Sequence, residues 1–372
     1  MNWQHYIDQR LADQKESGKW RELPGSLSGI DFCSNDYLGL ARSAHSHHMP
    51  TQGSTGSRLI SGDHELLNRL ENQLADSYRT ESALLFPSGY MANLGVLSSL
   101  PQRTHTILYD RLIHASLRDG IRLAGARAYS FSHNAVNELA QKLERADGPC
   151  WVVTESVFSM DGDVAPLAEI AALCRANQAA LIVDEAHALG WLGPKGRGLV
   201  AELELESQVA IRILTFGKGP GAEGAAVLGS TQLRDYLVNF SRPFIYSTAP
   251  SVAFAKKLEK ALLRMEVEGP DRACTLKNRI DYFRESIPDF WKDKLADTAG
   301  PIQILHCPGA ERAMGLESHL RKSQIAIRAI RHPTVDEGAE RLRVCLHTHN
   351  TEAEIDQLVH ALSTYSQNGW GA

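Results

Sequence analysis

Short apolar runs alternate with amphipathic stretches through the middle of the chain, and this alternation constrains the fold more than any other feature. The runs occupy residues 83–86, 106–109, 151–154, 180–183, 211–215 and 225–228, with helical patterns between them at 135–145 and 166–177. A strand that is apolar on both faces must be covered on both. The pattern therefore predicts an α/β fold with a mostly parallel sheet between helices. Val152-Val153-Thr154 and Ile182-Val183 are β-branched, which favours strand over helix at those two runs.

The flanks read differently. A helix-like stretch covers residues 3–15. Behind Gly62-Asp63, the spacing of Leu66, Leu67, Leu70 and Leu74 predicts a helix with Asp63 as its cap. After Tyr246-Ser247-Thr248-Ala249-Pro250 the pattern predicts a long helix over 251–267 and then mixed strands and helices, a smaller C-terminal α+β domain. The expected division is an N-terminal segment at 1–40, a large domain at 41–264 and a small domain at 265–372. With 43% hydrophobic residues among 372, the chain can bury one large core and a second smaller one.

Charge and cysteine usage narrow the class further. The net charge is −5 and no basic face is evident, so nucleic acid is not expected as a partner. Charges interrupt every apolar stretch, so no membrane span is expected. The opening Met1-Asn2-Trp3-Gln4-His5 lacks the basic and apolar regions of a signal peptide. The six cysteines are scattered without a C-x-x-C pair, which points to reduced thiols and a cytoplasmic location. His45, His47 and His48 sit in a polar stretch with no second cluster at ligand spacing, so no metal site is expected.

Two strand ends carry chemistry. Val183-Asp184-Glu185-Ala186-His187 closes one buried run, and open parallel sheets bind ligands at the carboxyl ends of their strands. Alone, this motif is equally a turn-capping Asp and a satisfied surface His. The next run leads into Phe216-Gly217-Lys218-Gly219-Pro220-Gly221. A loop lysine is ordinarily a solvated charge. Here the flanking glycines let backbone approach a ligand, and a desolvated lysine amine is a usable nucleophile. A carboxylate and a lysine on two strand ends match what pyridoxal 5′-phosphate (PLP) needs: an amine to bond its aldehyde and a carboxylate to keep its pyridine nitrogen protonated. His187 suits the ring's phenolic oxygen. Ser88, Gly89 and Tyr90, between a strand and a helix, offer backbone amides to a phosphate, and Thr215 offers a hydroxyl. A plain helix cap and a strand-end Thr account for these residues equally well.

Two phosphate-binding alternatives fail on context. Gly219-Pro220-Gly221-Ala222-Glu223-Gly224 fits G-x-G-x-x-G, but that fingerprint must open a helix, and Ala225-Ala226-Val227-Leu228-Gly229 reads as a strand. A Walker A loop requires Ser or Thr after its lysine, where Gly219 stands.

Several motifs, in order, resemble the α-oxoamine synthases, fold-type I PLP enzymes, over nearly the whole chain. They are Ser34-Asn35-Asp36-Tyr37-Leu38-Gly39, Ser54-Thr55-Gly56-Ser57-Arg58-Leu59-Ile60-Ser61-Gly62, Gly89-Tyr90-Met91-Ala92-Asn93 and His114-Ala115-Ser116. Thr154-Glu155-Ser156-Val157-Phe158-Ser159-Met160-Asp161-Gly162-Asp163, Asp184-Glu185-Ala186-His187, Thr215-Phe216-Gly217-Lys218-Gly219 and Arg341-Leu342-Arg343 follow. The resemblance implies that Lys218 bonds the cofactor, Asp184 meets the pyridine nitrogen, His114 stacks on the ring, and His187 and Ser159 address the phenolic oxygen. It also implies that Arg343 binds the amino-acid carboxylate, and that Asn35, Arg21 and Thr334 lie on the substrate side. A homodimer is implied, with Ser247 and Thr248 reaching the neighbouring subunit's phosphate. The run Ser57 to Gly62 and the opening Trp3-Gln4 are most similar to the biotin-pathway branch, which implies L-alanine and a pimeloyl thioester as substrates. The alternatives are a sister synthase using glycine or serine and an inactive scaffold paralogue. The presence of Lys218 argues against the scaffold. The sequence departs from the family at Pro220, usually aromatic or leucine, and at His332, usually proline.

Overall fold

The computed structural model describes residues 3–23 and 53–368. Asn35 with its motif, and the histidines at 45, 47 and 48, lie outside the described residues. The chain divides into two compact units, Met1–Ser156 with Ala165–Val267, and Val157–Val164 with Glu268–Ala372.

The first unit is built on seven strands: β1 (Ser82–Phe86), β2 (Thr106–Asp110), β3 (Arg127–Phe131), β4 (Cys150–Glu155), β5 (Ala180–Asp184), β6 (Ile211–Thr215) and β7 (Ala225–Gly229). They lie in the order β1-β7-β6-β5-β4-β2-β3. All neighbours are parallel except β7, which runs antiparallel to both β1 and β6. The sheet is mostly parallel, as the alternation implies, and it has seven strands, the number implied by the resemblance to fold-type I PLP enzymes. β7 directly follows the glycine-rich loop, in the place where a dinucleotide fingerprint would need a helix.

Six of the strands coincide with the apolar runs, and β3 does not. It is an edge strand with Arg127, Tyr129 and Ser130 exposed, so nothing in its sequence forms an apolar run. The helices α1 (Trp3–Glu16), α2 (Glu65–Ser77), α3 (Gly89–Leu97), α4 (Ala115–Ala124), α5 (Val136–Glu144) and α6 (Leu167–Ala176) lie before or between the strands. Leu67, Leu70 and Leu74 of α2 are buried with Leu85, Leu214, Phe216 and Leu228 of the sheet region. Each such side chain contributes about 1.5–3 kcal/mol on leaving water.

Two local expectations are corrected. The residue capping α2 is His64, without a side-chain cap bond, while the Asp63 carboxylate accepts from Arg58 Nε at 2.8 Å. The helix expected to end near Val267 runs from Val252 to Ser286 through Pro270. Its early residues Phe254, Leu258 and Leu262 serve the first core, and its later Ile280 and Phe283 serve the second. Proline removes one hydrogen bond, which burial of apolar side chains on both sides of it outweighs.

The second unit has a three-stranded antiparallel sheet of β8 (Ile302–His306), β9 (Ala329–Ile330) and β10 (Arg341–Cys345), in the order β8-β10-β9. Its core gathers Trp291, Leu305, Leu316, Leu320, Leu342 and Leu362, and Trp291 Nε1 donates to the Leu362 carbonyl at 3.0 Å.

Candidate active site

The carboxyl ends of β1, β2, β4, β5 and β6 share one edge of the large sheet, because these strands run in one direction. From β1 the chain turns into α3, where Ser88 is the N-cap and its hydroxyl accepts from Met91 N at 3.3 Å. Gly89, the first residue of α3, lies against Thr215 at the end of β6. A Cβ built on Gly89 would fall within 3.4 Å of three Thr215 side-chain atoms. Glycine here brings the helix's free amides and the Thr215 hydroxyl to one place, an arrangement suited to an anion. Tyr90 is exposed, and its hydroxyl donates to Asp119, which raises the phenol's pKa.

Asp184 ends β5 and is 4% exposed. Its Oδ1 accepts from Ala186 N at 2.9 Å and its Oδ2 from Asn93 Nδ2 at 2.7 Å. Asn93 comes from α3 and also donates to Ser116 Oγ of α4 at 2.9 Å. Gly120 permits this meeting of helices: a Cβ there would fall 2.7 Å from Leu97 Cβ and 3.1 Å from the Asn93 carbonyl oxygen. Ser116 Oγ lies 2.7 Å from His114 Nδ1. His114 caps α4, accepting from Ser116 N at 3.2 Å, and its own backbone N–H donates to Glu155. Glu155 ends β4, directly across from Asp184 in the strand register. Burial, and then the Asp184 charge, push the Glu155 carboxyl well above its usual pKa. Burial lowers the pKa of His114, against the opposite effect of Asp184 and together with that of Lys218.

Lys218 follows β6, and its charge is felt at both His114 and Glu155. The expectation of a desolvated lysine does not hold for this chain. Lys218 is exposed, as are Gly217 and Gly219 on either side of it. Gly219 also serves a different purpose from ligand approach. A Cβ on it would collide with the Leu189 carbonyl and lie 3.3 Å from Gly190 Cα, so the glycine seats the lysine loop on the turn after β5. His187 is partly buried in that turn, and its carbonyl accepts from Trp191 Nε1 at 2.7 Å.

Two buried arginines, each paired with carboxylates, hold the surroundings. Glu185, next to Asp184, pairs with Arg212 of β6 and accepts from Val200 N at 3.0 Å. Arg58 is 2% exposed and pairs with Asp63 and Glu71, while Glu71 also accepts from Leu85 N of β1 at 2.8 Å. The Arg58 loop bridges to the 247–248 segment through Ser57 and Thr248. Ser247 is partly buried and Thr248 exposed. Arg21 is engaged with Asn239 through two 2.8 Å bonds.

In the second unit, Arg343 Nε donates to the Ser159 carbonyl at 2.7 Å, and Arg341 pairs with Asp161. The two arginines occupy one face of β10, as residues two apart must. Thr334 is exposed, its N–H bonded to the Arg331 carbonyl. Among the described residues, no cluster of three or more His, Cys, Asp or Glu is placed to hold a metal ion.

The sequence motifs contain Asn93, Ser116, Glu155 and Glu185, but nothing local marks what these residues do. Asn93 and Asp184 are 91 positions apart. The first unit has the donors and acceptors that PLP requires: a buried carboxylate at one strand end, a lysine at the next, and a glycine–hydroxyl cradle at a helix start.

The class I and II aminotransferase family model matches residues 28–362. The chain belongs to this family. Among curated relatives, the 8-amino-7-oxononanoate synthase of Marinobacter nauticus is 43% identical over 90% of this chain and 86% of its own length. That of Chromohalobacter salexigens is 40% identical over 96% and 94%. Among solved structures, the Francisella tularensis 8-amino-7-oxononanoate synthase superposes with a TM-score of 0.72 at 29% identity, covering 91% of this chain and 98% of that one. A Sphingomonas wittichii serine palmitoyltransferase, at 24% identity and covering 97% of each chain, shares the fold with a TM-score of 0.80. The fold is thus that of the fold-type I PLP transferases. No described helix is long and apolar enough to cross a membrane.

Proposed function

We propose that this aminotransferase-family chain is an 8-amino-7-oxononanoate synthase. It joins L-alanine to a pimeloyl thioester, releasing carbon dioxide and the free thiol, with PLP as cofactor. One observation carries the chemistry: Asp184, its two oxygens held by Asn93 and Ala186 N–H groups, ends the strand beside the one that leads to Lys218. The matches to synthases of that name, over nine-tenths or more of this chain, support the choice of reaction.

Bound there, PLP supplies an electron sink for the charge that develops at the amino acid's α-carbon. With the cofactor in place, Lys218 Nζ would hold its aldehyde carbon and would serve as the base for the substrate's α-proton. Asp184 would hold the proton on the pyridine nitrogen, a role supported by the two hydrogen bonds that it accepts, which favour its ionised form. Burial and the Asp184 charge raise the Glu155 pKa, which disfavours a second negative charge beside Asp184. The α3 amides, Ser88, Gly89, Tyr90 and Thr215 receive the phosphate. His114 would face the ring, His187 and Ser159 would address the phenolic oxygen, and Arg343 would take the amino-acid carboxylate through its two terminal nitrogens. Asn35, Arg21 and Thr334 are assigned to the substrate side. The enzyme acts as a cytoplasmic homodimer, with Ser247 and Thr248 completing the neighbouring subunit's phosphate site.

Thiol release from pimeloyl-coenzyme A, measured in parallel with L-alanine, glycine and L-serine, tests the assignment. Release with alanine alone is expected. Release with glycine or serine instead would move the chain to a sister synthase, and release with none would remove the proposed activity.

A further inference from the structure

We propose that Asn93 and Ser116 are positioning residues that hold His114 as its neutral, Nε2-protonated tautomer and tie its ring to the Asp184 carboxylate. The donors and acceptors along the path leave one consistent ordering. Ser116 N can only donate, so His114 Nδ1, 3.2 Å away, accepts. Asp184 accepts on both oxygens, so Asn93 must turn its amide nitrogen, not its oxygen, toward it at 2.7 Å. The second Asn93 N–H then goes to Ser116 Oγ at 2.9 Å, and the Ser116 hydroxyl proton is left to point at His114 Nδ1, 2.7 Å away. Asp184, Asn93, Ser116 and His114 form one directional chain with every proton assigned.

The chain is rigid where it needs to be. Asn93 and Ser116 are 2% and 0% exposed, and Gly120 lets their helices approach closely enough to join them. Glu155 fixes the His114 backbone from the other side. A proton on Nδ1 would face the Ser116 N–H, donor against donor, so the imidazolium is disfavoured by geometry as well as by burial. The charged and titratable groups acting on the ring are Asp184, Lys218 and Asp119, with the Glu155 carboxyl on its backbone N–H. His114 thus presents a neutral ring whose one N–H, at Nε2, is a donor to whatever occupies the site.

The inference rests on the function above only for what His114 faces; the bonds lie within this chain. The test is therefore made on ¹⁵N-histidine-labelled protein, cofactor-free and cofactor-loaded, by NMR correlation of ring protons with ring nitrogens. The His114 signals are assigned by their loss in His114→Gln. The wild type is expected to show an unprotonated Nδ1 and a protonated Nε2 at neutral pH. Ser116→Ala removes the hydroxyl donor, which raises the His114 titration midpoint by about half to one pH unit. Ser116→Thr, which keeps the hydroxyl, restores it. An Nδ1-protonated ring or an imidazolium in the wild type overturns the proposal, as does a Ser116→Ala midpoint equal to the wild type. Should Ser116→Ala fail to fold, the wild-type tautomer decides alone. Loss of the synthase assignment in the thiol assay leaves this readout unchanged.

Discussion

The glycines on either side of Lys218 should respond in opposite ways to the same substitution. In Gly219→Ala the new methyl carbon would lie 2.9 Å from the Leu189 carbonyl carbon, closer still to its oxygen, and 3.3 Å from Gly190 Cα. All three are backbone atoms, so no side chain can swing away, and the lysine loop must lift off the turn that follows β5. Overpacking of this kind costs about 1–3 kcal/mol. On the proposed function, a displacement of the Lys218 amine by about 1 Å would also lower turnover by about a hundredfold. In Gly217→Ala the nearest atom is the Ala222 carbonyl oxygen at 3.6 Å, an ordinary contact, and φ at this residue is not in the left-handed region. That variant should lose no stability and is expected to gain about 0.4–1 kcal/mol from the less flexible unfolded chain. Thermal unfolding of both variants, with turnover and absorbance of the bound cofactor, makes the comparison. Equal stability and activity in the two variants would refute the packing argument for Gly219.

Three further expectations follow from buried charge. Asp184→Asn puts an amide where two N–H donors converge; losing a charged hydrogen bond worth about 1.5–3 kcal/mol predicts roughly a ten- to hundredfold drop in turnover, and a drop below about threefold would count against the assigned role. Arg58→Met leaves Asp63 and Glu71 buried without their cation and should cost about 3–5 kcal/mol in denaturant unfolding; a loss under about 1 kcal/mol would show that the pair is not structural. His105 accepts from Trp151 Nε1 at 3.1 Å, and burial lowers its pKa from 6.5 to about 4. Below pH 6.5 the unfolded chain binds the proton first, so this contribution is whole above pH 6.5 and lost as pH falls toward 4. His105→Leu should flatten the stability profile across that window, and an unchanged slope would contradict the assignment.

Legibility in the sequence followed burial. The six runs buried in the sheet were visible because they are apolar on both faces, and β3 was not, because an edge strand exposes Arg127, Tyr129 and Ser130. Asp63 looked like a helix cap by position, but Arg58, five residues earlier, takes its carboxylate into a buried pair. The helix beyond Val267 was hidden by Pro270, a strong local stop that two separate cores override. Gly219 was recognised as a place of close approach, and the structure assigns that approach to Leu189 and Gly190.

By itself the sequence determined the layered α/β class and the residue types of the candidate site, Asp184 after one strand and Lys218 after another, because strand periodicity and the chemistry of a side chain are local properties. Tertiary structure alone decided that β5 and β6 are neighbours and that β4 places Glu155 opposite Asp184. It also decided that α3 and α4 meet at Gly120, so that Asn93 can join Asp184 to Ser116. The physical reason is that these bonds act over about 3 Å between groups tens of residues apart in the chain. Only strand order and helix packing bring such groups within that distance, and no local pattern encodes either.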